Sequence, residues 1–333
     1  MNYKMVGFVL GRFFWIEAVL MLCPMACSAL FGEWDIVLSF LWPALVLVAL
    51  GMLLGLRQPR NTTIYARDGL VIVALVWVLM SVFGALPFMI SGEIPSFFDA
   101  FFEMVSGFTT TGSTILTDVE AMSRGLLFWR SFSHWVGGMG VLVFAMAVLP
   151  MTDGRAMHLM RAEVPGPTVG KISSKLQDSA KILYEIYFVL TVVEVIILCL
   201  GGMPLYDALI HSFGTAGTGG FSNKALSVGA YNNPFFEIVI GIFMLLFGIN
   251  FNLYYFILLR HFRDVFRSEE LRVYLGIVAF ATITITINIA SLYDNVGTAL
   301  RMAFFQVASV MTTTGYATTD FNLWPNYART VLV

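Results

Sequence analysis

Charge is what this chain has least of. Asp, Glu, Lys and Arg make up 12% of its 333 residues, against about 25% in an ordinary soluble domain. So few charges cannot cover a folded chain of this size in water. Disorder is excluded as well, because it requires high charge and low hydrophobicity. Apolar and aromatic residues instead reach 58%. The net charge is only −2, which leaves no basic footprint for a nucleic-acid partner. Cysteine is also scarce. Cys23, Cys27 and Cys199 lie in apolar runs and form no CxxC pair. They read as small packing residues, not as a disulfide framework or a zinc site. The first apolar run lacks a small-residue cleavage site, so it reads as a retained helix, not a signal peptide.

What is present is a series of long apolar runs. A bilayer core of about 30 Å takes about 20 helical residues. Seven runs qualify: 7–30, 36–56, 69–90, 126–150, 182–202, 235–259 and 271–291. Trp and Tyr gather near several of their ends, as interfacial anchors do. The stretches 57–68, 151–181 and 260–272 are charged. Placing them and the N-terminus on the cytoplasmic side collects all of the 19 Lys and Arg except Arg124, Arg130, Lys224, Arg301 and Arg329. The positive-inside rule then orients a multi-pass chain with a cytoplasmic N-terminus. The outer segments carry Glu33, Asp35, Glu93, Asp99, Glu103, Asp118, Glu120, Asp207, Asp294 and Asp320. These acids either raise the local cation concentration at an outer mouth or form an ordinary solvated surface.

Three outer segments share one layout. Each has an apolar stretch of about a dozen residues, too short to span, followed by a Thr/Gly cluster and another long run. Aligning their glycines pairs Gly112, Gly219 and Gly315, a period of roughly a hundred residues. The repeats run parallel, which implies rotation about the membrane normal. Non-helical backbone at membrane depth must be buried in protein or line a wet cavity. Gly allows carbonyls to turn toward an axis, and ringed carbonyls replace the hydration shell of K⁺. A short helix pointing its C-terminal end inward adds favourable potential for a cation. The candidate ion-binding residues are Thr110, Thr111, Gly112, Ser113, Thr218, Gly219, Gly220, Thr313, Thr314 and Gly315.

The segments SGFTTTGST (106–114), FWRSFSHWVGGMGVLVFAMAVLP (128–150), GGMPLYDALIHSFGTAGTGGFSNKALSV (201–228) and VASVMTTTGYATTDF (307–321) resemble the Trk/Ktr/HKT superfamily of potassium transporters. The resemblance is strongest to its bacterial TrkH branch, whose extra N-terminal helix pair matches the first two runs. It implies an all-α integral membrane fold. Tandem membrane helix–pore loop–membrane helix repeats would surround a pseudo-fourfold, K⁺-channel-like pore. The matching segmentation is residues 1–60 as two leading helices, 61–155 as the first pore repeat, 156–265 as the second, and 266–333 as an incomplete third. The fourth repeat would be absent, so the chain reads as part of a longer transporter. The resemblance further implies potassium uptake at a bacterial inner membrane, in a homodimer that assembles with a cytosolic nucleotide-binding TrkA-like subunit. Gly112 at the first filter position favours potassium over sodium. The runner-up is a sodium-stimulated KtrB-type transporter. A polytopic membrane enzyme finds no support in paired intramembrane Asp or Ser/His spacing, and a structural scaffold leaves the Thr/Gly loops unexplained. No catalytic residue or cofactor is expected; potassium is cargo.

Several residues stand outside that pattern. Glu194 lies mid-run and reads as a packing contact or an intramembrane functional group. Asn250 and Asn252 either face a vestibule or cap a kink near Gly248. His134, His158, His211 and His261 lack ligand spacing and read as structural. Gly137, Gly138 and Gly140 suit close helix packing. Arg301 is expected to pair with Asp320 or Asp99, or to snorkel to the interface. Residues 151–181 are a candidate docking surface or a plain connection.

Overall fold

The computed structural model describes residues 1–61, 66–138, 140 and 176–332. Among the described residues the chain is helical and contains no strand. It forms two compact units, Met1–Tyr184 and Glu185–Val333.

The first unit opens with α1 (Tyr3–Leu20) and α2 (Leu22–Leu30). The break between them falls at Met21, where Pro24 has no N–H to give to Leu20. Next come α3 (Trp34–Gly55), α4 (Ala66–Ser91), the short α5 (Phe97–Phe108) and α6 (Arg124–Gly138). α1 lies tight against α3: a Cβ on Gly11 would sit 2.5 Å from the Gly55 nitrogen. Trp129 is the hub of this unit. It is fully buried, meets Phe40 of α3 and Phe108 of α5 edge-on at 6.0 and 5.9 Å, and donates its indole N–H to the Gly84 carbonyl of α4 at 3.0 Å. Three neighbouring helices are thereby fixed around one side chain of α6. Cys27 is buried, whereas Cys23 is exposed.

Long α7 (Leu176–Leu200) crosses the boundary between the units. It is followed by the short α8 (Leu205–Ala216), α9 (Pro234–Phe247), α10 (Phe251–Leu258), α11 (Phe262–Arg267), α12 (Glu269–Ile289), α13 (Val296–Met311) and α14 (Asn326–Leu332). Val278, Ile285 and Ile289 of α12 share a core with Ala299, Ala303 and Val307 of α13 and with Trp324.

Among the described residues, five segments are long and apolar enough to cross a membrane: Tyr3–Leu30, Trp34–Gly55, Arg67–Ser91, Lys181–Leu200 and Glu269–Leu292. They coincide with five of the seven expected runs. The expected run 235–259 is not one straight helix, because α9 and α10 meet at 89°. Polar groups account for the bend. Asn250 caps α10 by accepting from the Asn252 N–H at 3.0 Å, and it also donates to Glu270 at 3.1 Å. The hydroxyls of Tyr274 and Tyr254 donate to the carbonyls of Leu245 and Leu246 at 3.2 and 2.6 Å. Of the expected run 126–150, only residues 126–138 in α6 and Gly140 are described. Residues 141–150, the proposed docking stretch up to residue 175, and His158 lie outside the described residues.

Candidate functional site

The short helices α5, α8 and α13 measure 12, 12 and 16 residues, or roughly 18–24 Å at 1.5 Å per residue. Each ends in the same backbone turn. Thr110, Thr218 and Thr313 take left-handed φ values of 55°, 52° and 59°, and two residues later Gly112, Gly220 and Gly315 sit at 74°, 75° and 82°. The hydrogen bonds repeat too. The three Thr N–H groups donate to the carbonyls of Gly107, Thr215 and Val310 at 3.1, 3.1 and 3.0 Å. The next N–H groups, on Thr111, Gly219 and Thr314, donate to Ser106, Gly214 and Ser309, each at 2.9 Å. This is a Schellman helix end, which ordinarily uses Gly at the left-handed position. Thr there costs about 1–2 kcal/mol, and strain of this kind gathers at functional sites.

The turn revises the alignment of the repeats. The second-repeat counterpart of Gly112 and Gly315 is Gly220; Gly219 occupies the place of Thr111 and Thr314. Thr109 and Thr312 donate their hydroxyls to the carbonyls of Val105 and Ala308, both at 2.7 Å, and pair with Thr111 and Thr314 at 2.8 Å. Gly217 and Gly219 replace both hydroxyls in the second loop. Within the second unit the loops touch, since a Cβ on Gly220 would lie 1.9 Å from the Thr314 carbonyl oxygen. In the first unit, a Cβ on Gly137 would lie 1.9 Å from the Phe108 carbonyl oxygen, so α6 packs directly on the end of α5.

The same register places Glu103, His211 and Gln306 at one position, buried behind their loops. Glu103 accepts from the Thr114 hydroxyl at 2.9 Å, the Ile115 N–H at 3.1 Å and Arg130 Nε at 2.5 Å. His211 Nδ1 lies 2.8 Å from the Asp207 carbonyl, which can only accept. In the neutral ring Nδ1 therefore carries the proton, and Nε2 accepts from the Ser222 hydroxyl at 3.1 Å. In both repeats a helix side chain holds a hydroxyl eleven residues further on.

Several outer acids are neither open mouth charges nor an ordinary solvated surface. Glu103 is fully buried against Arg130. Glu33 accepts from the N–H groups of Arg124 and Gly125, both at 2.9 Å, and Glu93 from Ser123 at 3.0 Å. Those two carboxylates serve the positive N-terminus of α6. Asp207 accepts from Asn223 at 2.7 Å. Arg301 is placed beside another acid of its own unit, not beside Asp320. Its Nε lies 2.7 Å from Glu237 of α9, as a charge contact without an aligned N–H. Glu194 is fully buried.

A family model described as TrkH, cation transport protein, matches residues 39–333. The chain belongs to the TrkH family. It is 38% identical to the Trk system potassium uptake protein TrkH of Salmonella typhimurium (strain LT2), over 86% of this chain and 61% of that protein. It is 33% identical to the Trk system potassium uptake protein TrkG of Escherichia coli (strain K12), over 100% of this chain and 69% of that one. The crystal structure of the potassium transporter TrkH from Vibrio parahaemolyticus superposes with a TM-score of 0.85 at 28% identity, covering 100% of this chain and 69% of that chain. The chain thus spans about three-fifths to seven-tenths of the length of these TrkH-family relatives. Family membership and the apolar helices together make it a multi-pass membrane protein.

Proposed function

We propose that this chain takes up potassium as the membrane subunit of a Trk-type system. The carrying observation is the turn repeated at the ends of α5, α8 and α13. Thr110, Thr111, Gly112 and Ser113, then Thr218, Gly219 and Gly220, then Thr313, Thr314 and Gly315 offer mainly backbone carbonyls to a dehydrating K⁺. The partially negative C-terminal ends of the three helices favour a cation at those loops. Relatives named as potassium uptake proteins support the choice of ion. Uptake follows the electrical gradient: at about 150 mV one charge gains about 3.5 kcal/mol, roughly a few-hundred-fold accumulation. In this reading the subunit pairs as a homodimer in the bacterial inner membrane with its N-terminus in the cytoplasm, and it docks a nucleotide-binding TrkA-like subunit there.

Gly112→Ser tests the filter. At φ 74° a side chain adds about 1–2 kcal/mol of strain. Potassium over sodium preference should then fall about 5- to 30-fold if the strain bears on the K⁺-bound loop. An unchanged preference in reconstituted flux refutes the assignment.

A further inference from the structure

The three loops are not held in place in the same way. In the first, Glu103 bonds the Thr114 hydroxyl; in the second, His211 bonds the Ser222 hydroxyl. The third repeat puts Gln306 at the helix position and Ala317 at the loop position. Ala317 has no hydroxyl to offer. Gln306 is 3% exposed, and its Oε1 is buried without a hydrogen-bond partner among the described residues.

The Ala317 carbonyl instead accepts from the Gly229 N–H at 3.1 Å and its N–H donates to the Ser227 hydroxyl at 3.4 Å, and one further side chain ties the loop to the second repeat. Tyr316 follows the filter glycine and is fully buried. Its hydroxyl extends to the second repeat, 3.0 Å from the His211 carbonyl and 3.2 Å from the Phe221 carbonyl. Its own carbonyl accepts from the Ser309 hydroxyl at 2.6 Å. The second repeat leaves room for it: a Cβ on Gly214 would lie 2.1 Å from the Tyr316 hydroxyl oxygen. The equivalent residues in the other two repeats are Ser106 and Ser309.

We propose that Tyr316 is the positioning residue of the third loop, replacing the strut that Gln306 and Ala317 cannot make, and that it thereby sets potassium over sodium preference. The proposal rests on the filter reading above. It makes the third loop dependent on the second repeat for its shape. It also means that a hydroxyl restored at position 317, facing the orphan Gln306 oxygen, relieves that dependence.

The test is K⁺ uptake with Na⁺ competition by the full-length protein in bacteria lacking their own potassium uptake, normalised to the amount in the membrane. Tyr316→Phe should lower K⁺ over Na⁺ preference about two- to tenfold, the range of one net hydrogen bond. Adding Ala317→Ser should restore at least half of that loss on a logarithmic scale. A general packing defect at position 316 would not be repaired from position 317, so loss without recovery overturns the proposal. Gly315→Ser serves as the reference. If it alters preference and Tyr316→Phe does not, the role of Tyr316 is refuted while the filter stands. If both are silent, the filter reading itself fails. Should Tyr316→Phe not reach the membrane, the double variant decides: recovered membrane level and preference support the strut, and no recovery overturns it.

Discussion

The ion pair of Glu103 and Arg130 offers a sharp test of how the first loop is supported. Both side chains are almost wholly buried, 0% and 2% exposed, so removing one partner leaves a charge in a poorly polarisable environment. Breaking such a pair costs about 3–5 kcal/mol. Glu103→Leu also strips an acceptor from the Thr114 hydroxyl and the Ile115 N–H, about 1 kcal/mol each. The single variant should therefore lower unfolding free energy by at least about 3 kcal/mol, roughly a 150-fold change in the folding equilibrium. Glu103→Leu with Arg130→Met removes both charges of the pair. Replacing a whole buried pair by apolar side chains is often neutral or stabilising. The double variant should accordingly be more stable than Glu103→Leu alone, with a coupling of at least about 2 kcal/mol. Chemical denaturation in detergent micelles reads Glu103→Leu, Arg130→Met and the double variant, and the result should hardly depend on salt, since buried pairs are weakly screened. A single-variant cost below about 1 kcal/mol, or additive effects of the two substitutions, would refute the reasoning.

The structure separates two outer acids that composition places together. Glu93→Gln weakens an anionic contact at the start of α6 and should cost about 0.3–1 kcal/mol of stability without changing the salt dependence of uptake. Asp118→Asn should lower uptake at low ionic strength and have little effect at about 150 mM salt, where the Debye length is about 8 Å; rates at two salt concentrations check both. Asn250→Ala removes the cap of α10 and the bond to Glu270. It should destabilise the bend by about 1 kcal/mol, seen as faster amide exchange over Phe251–Leu258.

The helices and the repeat were legible because hydropathy and length report on single segments. The same measure is blind to what happens inside a segment. It counts 235–259 as one apolar run, while the 89° turn depends on an Asn side chain capping α10 and on two tyrosine hydroxyls covering the last carbonyls of α9. The breaker signal was present in Gly248 and Asn250, but the covering groups come from Tyr254 and from Tyr274 on another helix. Glu103 was harder still. An acid in an outer segment reads as a surface charge, and only Arg130, brought alongside by the packing of α6 on α5, makes it a buried strut.

The choice between Gly219 and Gly220 shows how fine the remaining limit is. The first and third loops read Thr-Thr-Thr-Gly and the second reads Gly-Thr-Gly-Gly. Matching the Thr-Gly step selects Gly219. The backbone instead counts from the left-handed Thr, and from Thr218 the second residue on is Gly220. Letters cannot separate these registers, because glycine fits both places; φ and the 2.9 Å bond from Gly219 to Gly214 can. The shift carries weight beyond the loop itself. It brings Glu103, His211 and Gln306 to one position, sets Thr114, Ser222 and Ala317 opposite them, and so exposes the repeat whose strut is missing. With Gly219 as the filter glycine, Ile210 and Phe221 would take the places of His211 and Ser222, and the gap in the third repeat would stand against Glu103 and Thr114 alone.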